Sequence, residues 1–387
     1  MLDGLKKQHA ELLQGWQEAV PQVNFSSPQQ LSTWIATELS EPNDNWTKTA
    51  GGSYSTKADD LMLHKEDLNE SAATVVSTIL LPLKRINKEI SAFGDKFLSH
   101  IDDKTDRIHA SFNLAGTVNG RMSCSSPNLQ QIPRQSHYRQ MFTAAEGHKL
   151  VIADYSQMEL RIAAILADEQ TLLTAYLQGH DTHRLTAALI LGKEPDEISK
   201  EERQLAKSVN FGLLYGQGAP GLQAYAASSY GVTIDIGEAI AYRDAWFDSY
   251  PAFARWHNLS YRLVKNDMMV STPSGRKRYF MSTEYNHPQG LKRAVVFNTP
   301  VQGGGAEVLL VAMAKLNDKI AELGQSLTIK PIAVIHDEII LEVRDDCAEQ
   351  AKQLLEAAMI EGMLTIFPEA SVTDLVEAHI GSSWADK

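Results

Sequence analysis

Cysteine is almost missing from this 387-residue chain, which has only Cys124 and Cys347. Two thiols exclude a disulfide framework and a multi-cysteine zinc site, and they suit a reducing compartment. Long apolar runs are missing too: none approaches the roughly 20 residues that cross a bilayer. The opening residues Met1-Leu2-Asp3-Gly4-Leu5-Lys6-Lys7 lead into no signal-peptide core. Internal repeats and low-complexity tracts are absent, which removes solenoids from consideration. Positive charge is in deficit, 36 Lys and Arg against 48 Asp and Glu, for a net charge of −12. That balance argues against a broad basic field, but a bound polyanion meets only the face that touches it. Two local basic clusters stand out, Arg276-Lys277-Arg278 and Lys292-Arg293. Either fits a solvated turn or a phosphate contact. What is present is ordinary for a folded protein: 43% hydrophobic and 22% charged residues, in a chain long enough for two or three subdomains.

Residues 1–104 read as mostly helical. Ser27-Pro28-Gln29-Gln30 predicts a helix start, with a capping serine followed by proline. Residues 48–56 form a small-residue loop that runs into a second predicted cap, Thr56 with Asp59 three residues on. A third helix is predicted across 71–97. From about residue 105 the character changes. Residues 107–112 alternate like a strand, and Leu150-Val151-Ile152-Ala153 is a short apolar strand that ends on Asp154. Helices are predicted over 157–190, 199–215 and 236–266. Strand character returns at 332–335 and 339–343, around the polar turn His336-Asp337-Glu338. This pattern is that of an α+β core interrupted by a helical insertion.

Three constellations carry candidate chemistry. Asp154, at the end of a buried strand, is either a turn cap or a carboxylate that a cation can reach. Magnesium takes oxygen ligands and usually draws only one or two from protein. The turn at Asp337-Glu338 is either a solvated hairpin tip or a second acidic site. Successive strand residues face opposite ways, so at most one of the two acids would join Asp154. Finally, Arg203, Lys207, Phe211 and Tyr215 recur every four residues. On a helix they make one slowly winding stripe, roughly 18 Å long. Two cations followed by two aromatics suit a nucleoside triphosphate; a core-packed aromatic end with a solvated basic end suits the same spacing.

In order and spacing, these segments resemble motifs A, B and C of the DNA polymerase I-like (family A) polymerases. Asp154-Tyr155-Ser156-Gln157-Met158-Glu159-Leu160-Arg161 departs from the usual motif A only in Met158, where isoleucine is usual. The helix ending Asn210-Phe211-Gly212-Leu213-Leu214-Tyr215-Gly216 is similar to motif B, and His336-Asp337-Glu338 to motif C. Residues 117–133, with Gly120, Arg121, Pro127, Asn128 and Gln130, are similar to the family's segment before motif A. Residues 272–278 and 298–303 are similar to the stretch before motif C. The 48–56 loop is similar to the thumb tip, and Gly381-Ser382-Ser383-Trp384 also looks family-like. The resemblance covers nearly all of the chain.

It implies a right-hand polymerase with an antiparallel-sheet palm, helical fingers and a helical thumb. The thumb would span 1–104, the palm 105–165 and 285–387, and the fingers 166–284. Asp154, Asp337 and the backbone carbonyl of Tyr155 would hold two Mg2+ ions, with Mn2+ able to substitute. Glu338 would be a supporting acid. Arg203 and Lys207 would bind the triphosphate, and Lys207 is a candidate proton donor to pyrophosphate. His183 would add a phosphate contact, and Gln157 would also line the nucleotide site. Phe211 would pack on the incoming sugar, Tyr215 would guard the templating base, and Glu159 would exclude a ribose 2′-hydroxyl. Arg121, Asn298, Gln302, His336 and Arg276 would contact primer–template, partly through minor-groove acceptors that every correct pair presents alike. The implied partners are a DNA primer–template and deoxynucleoside triphosphates. The implied protein is a monomer, cytoplasmic or nucleoid-associated, without a membrane partner.

Some features depart from the family pattern. Asn298 lies one residue further from Arg293 than the family spacing, so Arg293 is assigned no role. Cys124 reads as packing. Residues 1–110 contain no Asp-x-Glu, so no proofreading site is expected, and gap filling, repair or short-patch synthesis is the implied role. A single-subunit RNA polymerase is the nearest rival, and Glu159 and Glu338 argue against it. A silent junction-binding protein is the other, and the retained carboxylates and stripe cations argue against that.

Overall fold

A computed structural model of the protein describes residues 2–41, 46–49, 51–281, 284, 291–324 and 328–387. They fall into two units, Met1–His109 with Ala227–Thr233, and Ala110–Ala226 with Ile234–Lys387.

The first unit is built on helices. Ser27 caps α2 (Pro28–Glu38) by accepting from the Gln30 N–H at 3.4 Å, with Pro28 at the start as the sequence predicts. Leu31, Trp34 and Ile35 of α2 are buried with Trp16 of α1 (Leu2–Ala19), the two indoles meeting edge-on at 5.4 Å. Thr56 does not cap a helix. α3 (Ala58–His64) starts after Lys57 with no side-chain cap, and it is Ser55 that donates to Asp60. Lys48 and Tyr54 bridge across the predicted loop, of which Ala50 lies outside the described residues. The single helix expected over 71–97 is instead α4 (Glu70–Val75), a π-helical turn Val76–Leu80, α5 (Leu81–Phe93) and α6 (Asp95–Leu98). Pro82 has no N–H for the carbonyl four residues back, so the helix widens just before it. The strand read over 107–112 is two short ones: β2 (Arg107–Ile108), paired with β1 (Ile101–Asp102), and β3 (Ser111–Asn113), paired in the second unit with β4 (Ser123–Ser125).

The second unit is organised by an antiparallel four-stranded sheet of order β10-β5-β9-β8. β5 (His148–Tyr155) is central, and Leu150, Val151, Ile152 and Ala153 are all at most 2% exposed. A central strand covered on both faces needs an unbroken apolar run, which is why the sequence does not alternate there. β9 (Glu338–Arg344) pairs with it, placing Asp154 opposite Glu338. β8 (Ile329–Ile335) tolerates Pro331 and a register shift between Pro331 and Ala333 because it lies at the sheet edge. β10 (Val376–Gly381) covers the other side of β5.

Helices make up most of the rest of the chain from residue 136. They include α7 (Ser136–Arg139), α8 (Met158–Ala167), α9 (Gln170–Leu177), α10 (Thr182–Leu191), α11 (Lys200–Leu214), α12 (Ala219–Tyr230), α13 (Ile236–Ser249) and α14 (Pro251–Asp267). β6 (Met269–Ser271) and β7 (Lys277–Tyr279) form a small hairpin. The sequence reading did not anticipate α15 (Arg293–Glu322), α16 (Ala348–Ile366) or β10. The expected boundary at 284/285 adjoins residues outside the described ones. The α+β class is as expected, and no helix among the described residues is long and apolar enough to cross a membrane.

Candidate active site

Two acids meet where β5 and the β8–β9 turn come together. Asp154 sits at the end of β5, and the Tyr155 N–H donates to the Asp337 carbonyl at 3.3 Å, clamping strand end to turn. The Tyr155 hydroxyl, buried, donates to the Met359 carbonyl at 2.7 Å and fixes that strand end from beneath. The turn has only two residues between the paired Ile335 and Glu338, so its first residue, His336, takes φ +59°. Left-handed backbone at a histidine is uncommon and marks a position held by its surroundings. Asp337 is lifted from an ordinary carboxyl pKa to about 6, first by burial and then by the negative charge of Asp154. Asp154 Oδ1 is buried and has no hydrogen-bond partner among the described residues. An oxygen that has lost water without gaining a donor is costly, and a cation removes that cost.

No group of three or more His, Cys, Asp and Glu that could hold a metal is found among the described residues. Two facing carboxylates with an orphaned oxygen nevertheless fit magnesium, which keeps most of its shell as water or phosphate. Glu338, the cross-strand partner of Asp154, shares the Lys387 ammonium with it. Glu338 is 3% exposed, accepting from Trp384 Nε1 at 2.6 Å, Lys387 Nζ at 2.8 Å and Arg139 Nη1 at 3.3 Å. Its charge is thus already matched from within the protein.

Glu159 lies in the first turn of α8, between two partners: it accepts from Arg121 and from the Tyr215 hydroxyl. Burial and the nearby Glu159 charge push the Tyr215 phenol well above its ordinary value, so it stays a donor. Gln302 of α15 accepts from Asn119 Nδ2 at 2.7 Å and also meets the Tyr215 hydroxyl. Residues from motif-like segments far apart in sequence therefore form one polar cluster. Gly216, just past α11, has φ +74°, and a Cβ there would come within 2.6 Å of the Phe297 ring. Only glycine allows the chain to turn against that aromatic.

The stripe on α11 forms as its spacing predicts. Arg203, Lys207, Phe211 and Tyr215 are all half-buried, whereas Leu205, Ala206, Ser208, Val209 and Asn210 are buried. Ser199 caps this helix with a reciprocal Glu202 box. Arg203 Nε donates to Asp181 Oδ2 at 2.6 Å. Burial raises the Asp181 pKa, but the bonds from Arg203 and the Arg184 N–H outweigh it and hold the carboxyl below its usual range. Burial, then Arg134 and Arg203, hold the Lys207 ammonium below its usual value. Gathered cations of this kind favour an anion between them. His183 is 3% exposed, and burial with Arg203 and Lys207 drops its pKa to about 4. Its ring is neutral near pH 7 and takes a hydrogen bond at Nδ1 from Asn210 at 3.0 Å, which leaves Nε2–H to donate. The Phe211 ring lies 5.9 Å from it.

Other expected residues have internal partners. Gln157, with φ +53°, accepts from Thr182 and from the Tyr176 hydroxyl at 3.4 Å, so its side chain ties α8 to α10. Arg276 donates to the carbonyls of Asn119 at 2.6 Å and Val118 at 3.3 Å, bracing the loop that carries Arg121. Asn298 has a buried Oδ1 without a partner among the described residues. The sequence reading missed Arg134, whose charge acts on Lys207, His336 and Asp337 together. Its signal was present, one residue past the 117–133 segment. It also missed Arg139 and Lys387, for which spacing gives no signal.

A family model described as DNA polymerase family A matches residues 1–386. DNA polymerase I of Aquifex aeolicus is 35% identical over 362 residues, covering 94% of this chain and 58% of that protein. DNA polymerase I of Pseudomonas aeruginosa is 34% identical over 381 residues, covering 96% of this chain and 39% of that protein. The chain thus spans less than two thirds of the length of these relatives. Among solved structures, the POL domain of Pol1 from M. smegmatis, in complex with DNA primer-template and dNTP, is 28% identical with a TM-score of 0.86. The match covers 100% of this chain and 66% of that one. A sheet bearing paired carboxylates, a basic-aromatic helix and a family match along nearly the whole sequence lead to one conclusion: the chain belongs to DNA polymerase family A.

Proposed function

We propose that this chain is a template-directed DNA polymerase that joins deoxynucleotides to a primer 3′-hydroxyl. The observation that carries the reading is the pair Asp154 and Asp337, with a buried, unpartnered oxygen on one and a pKa lifted to about 6 on the other. Held by these carboxylates and the Tyr155 carbonyl, two magnesium ions, or manganese in their place, would acidify the hydroxyl and neutralise triphosphate charge. The protein's own groups do the rest. Arg203 and Lys207 grip the triphosphate, with the neutral His183 donating a further hydrogen bond from Nε2. Lys207, whose pKa is already lowered, is placed to give its proton to the departing pyrophosphate. Phe211 packs on the sugar and Tyr215 closes the templating position. Glu159, fixed by Arg121 and Tyr215, stands where a 2′-hydroxyl would collide. Arg121, Gln302, Asn298 and His336 read the shape of the primer terminus, while Gln157 and Arg276 position neighbouring segments.

In this reading residues 1–104 are the thumb, 166–284 the fingers, and 105–165 with 285–387 the palm. Residues 1–110 contain no Asp-x-Glu and supply no editing site. Gap filling, repair or short-patch synthesis by a monomer in the cytoplasm or nucleoid fits such a chain. The test is primer extension in magnesium on gapped and primed templates. Asp154→Ala and Asp337→Ala should each lower the rate at least a thousandfold, roughly the scale of lost metal-assisted charge stabilisation. Extension that survives either change overturns the mechanism, and shortening of a mismatched primer overturns the absence of editing.

A further inference from the structure

Lys387 reaches the carboxylate site from a turn that has no part in the chemistry above. Its Nζ lies 2.8 Å from Asp154 Oδ2 and 2.8 Å from Glu338 Oε2. This is a built arrangement. The Asp386 carboxylate accepts from the backbone N–H groups of Ser382 at 2.7 Å and Ser383 at 2.9 Å, and the Ser383 hydroxyl donates to it at 3.0 Å. The turn folds back so closely that a Cβ on Gly381 would come within 2.2 Å of the Asp386 Cβ. Trp384 is buried, donates to Glu338 Oε1, and stacks under the Arg139 guanidinium at 4.4 Å. Glu338 is therefore anchored on one side by Trp384 and Arg139, and on the other it holds the ammonium against Asp154. Asp154 in turn is divided: one oxygen is engaged by Lys387, and the other is buried without a partner.

A monovalent cation on a side-chain tether thus sits on a carboxylate that a divalent cation would use. We propose that Lys387 is a built-in counter-ion of the acidic site: it neutralises Asp154 when no divalent cation is bound, and it weakens divalent-cation binding until it withdraws onto Glu338. The inference rests on the reading of Asp154 as a metal-holding group. It makes Lys387 a positioning residue that keeps Asp154 in place without metal and sets the metal concentration at which the site fills.

The test is direct Mn2+ binding by the 387-residue protein, without DNA or nucleotide, followed by the spin-resonance signal of free Mn2+. Lys387→Met keeps the length of the side chain and removes its charge, whereas Lys387→Arg keeps the charge. Lys387→Met should bind Mn2+ about tenfold more tightly, the scale of losing one like charge a few ångströms away in a partly wet site. Lys387→Arg should match the parent protein. In chelator, Lys387→Met should also melt a few degrees lower, because Asp154 loses its partner, and added Mn2+ should abolish that difference. Unchanged or weaker Mn2+ binding by Lys387→Met, or tightening by Lys387→Arg as well, overturns the proposal. Asp154→Asn separates the two readings. If it abolishes Mn2+ binding while Lys387→Met has no effect, only the counter-ion is lost. If Asp154→Asn binds as the parent does, the metal reading of Asp154 fails first.

Discussion

Glu338 and Asp337 are adjacent in sequence and opposite in circumstance. Asp337 is lifted to about 6 by burial and the charge of Asp154, while Glu338, buried across the strands from Asp154, meets Trp384, Arg139 and Lys387. Removing one member of a buried ion pair strands the other. Glu338→Ala should therefore destabilise the protein by about 3 kcal/mol, read from urea unfolding; a change near zero would mean Arg139 finds water. Histidines give a pH signature of definite sign. Burial lowers His183, and likewise His257 stacked on Phe297 at 4.0 Å, from 6.5 to about 4. Above pH 6.5 each is neutral folded or unfolded and contributes no slope. As pH falls from 6.5 toward 4, only the unfolded chain takes up the proton, so stability is lost, up to roughly 3 kcal/mol per ring. Asp337 runs the other way. Its folded pKa lies above 3.8, so stability is regained as pH falls below about 6. Comparing urea midpoints of the parent and His257→Gln at pH 7 and 4.5 isolates one ring. Glutamine can still donate to the Leu214 carbonyl, which His257 Nε2 meets at 2.9 Å. The parent should lose more on acidification than the variant, and equal losses would refute the assignment.

At the scale of elements, α15 shows what a sequence hides. Pro300 and Gly303-Gly304-Gly305 read as helix breakers, yet Arg293–Glu322 is one helix. Packing overrides propensity there. A Cβ on Gly303 would come within 2.6 Å of Thr272, on Gly304 within 3.2 Å of Phe367, and on Gly305 within 2.6 Å of Met158. Those glycines mark where neighbours press close, and no local pattern announces neighbours so distant in the chain. By contrast, β5, β9 and α11 were legible, because an unbroken apolar run and a four-residue spacing are local facts. Asp154, Asp337 and the α11 stripe were legible for the same reason, while Arg139 and Lys387 act only through partners brought by folding. α16 crosses α15 where Gly362 lies against Val308 and Ala312, and a Cβ there would fall within 2.8 Å of both. Gly362→Ala should cost about 1–3 kcal/mol in chemical denaturation, the usual penalty of an overfilled contact between rigid backbones. No loss would show that the two helices can separate freely.

For the whole molecule, net charge and local charge point in opposite directions. The chain carries −12, yet Arg134 acts on Asp337, His336 and Lys207 together, with Arg121 also acting on His336 and Arg203 on Lys207. The proposed primer–template partner would feel the local charge at contact. Raising salt from about 50 to about 200 mM should weaken its binding roughly a thousandfold, as for proteins that neutralise several phosphates. A flat salt response in a fluorescence titration would argue that these cations do not meet a nucleic-acid backbone. The sheet order β10-β5-β9-β8 also bears on how such a protein comes into being. Both neighbours of the central strand, β9 and β10, are encoded long after it. During synthesis β5 therefore waits with both edges open and its apolar run uncovered, a template for pairing with other chains. The two acids first meet when the late strands close around the early one, so the site can mature only after most of the chain has left the ribosome.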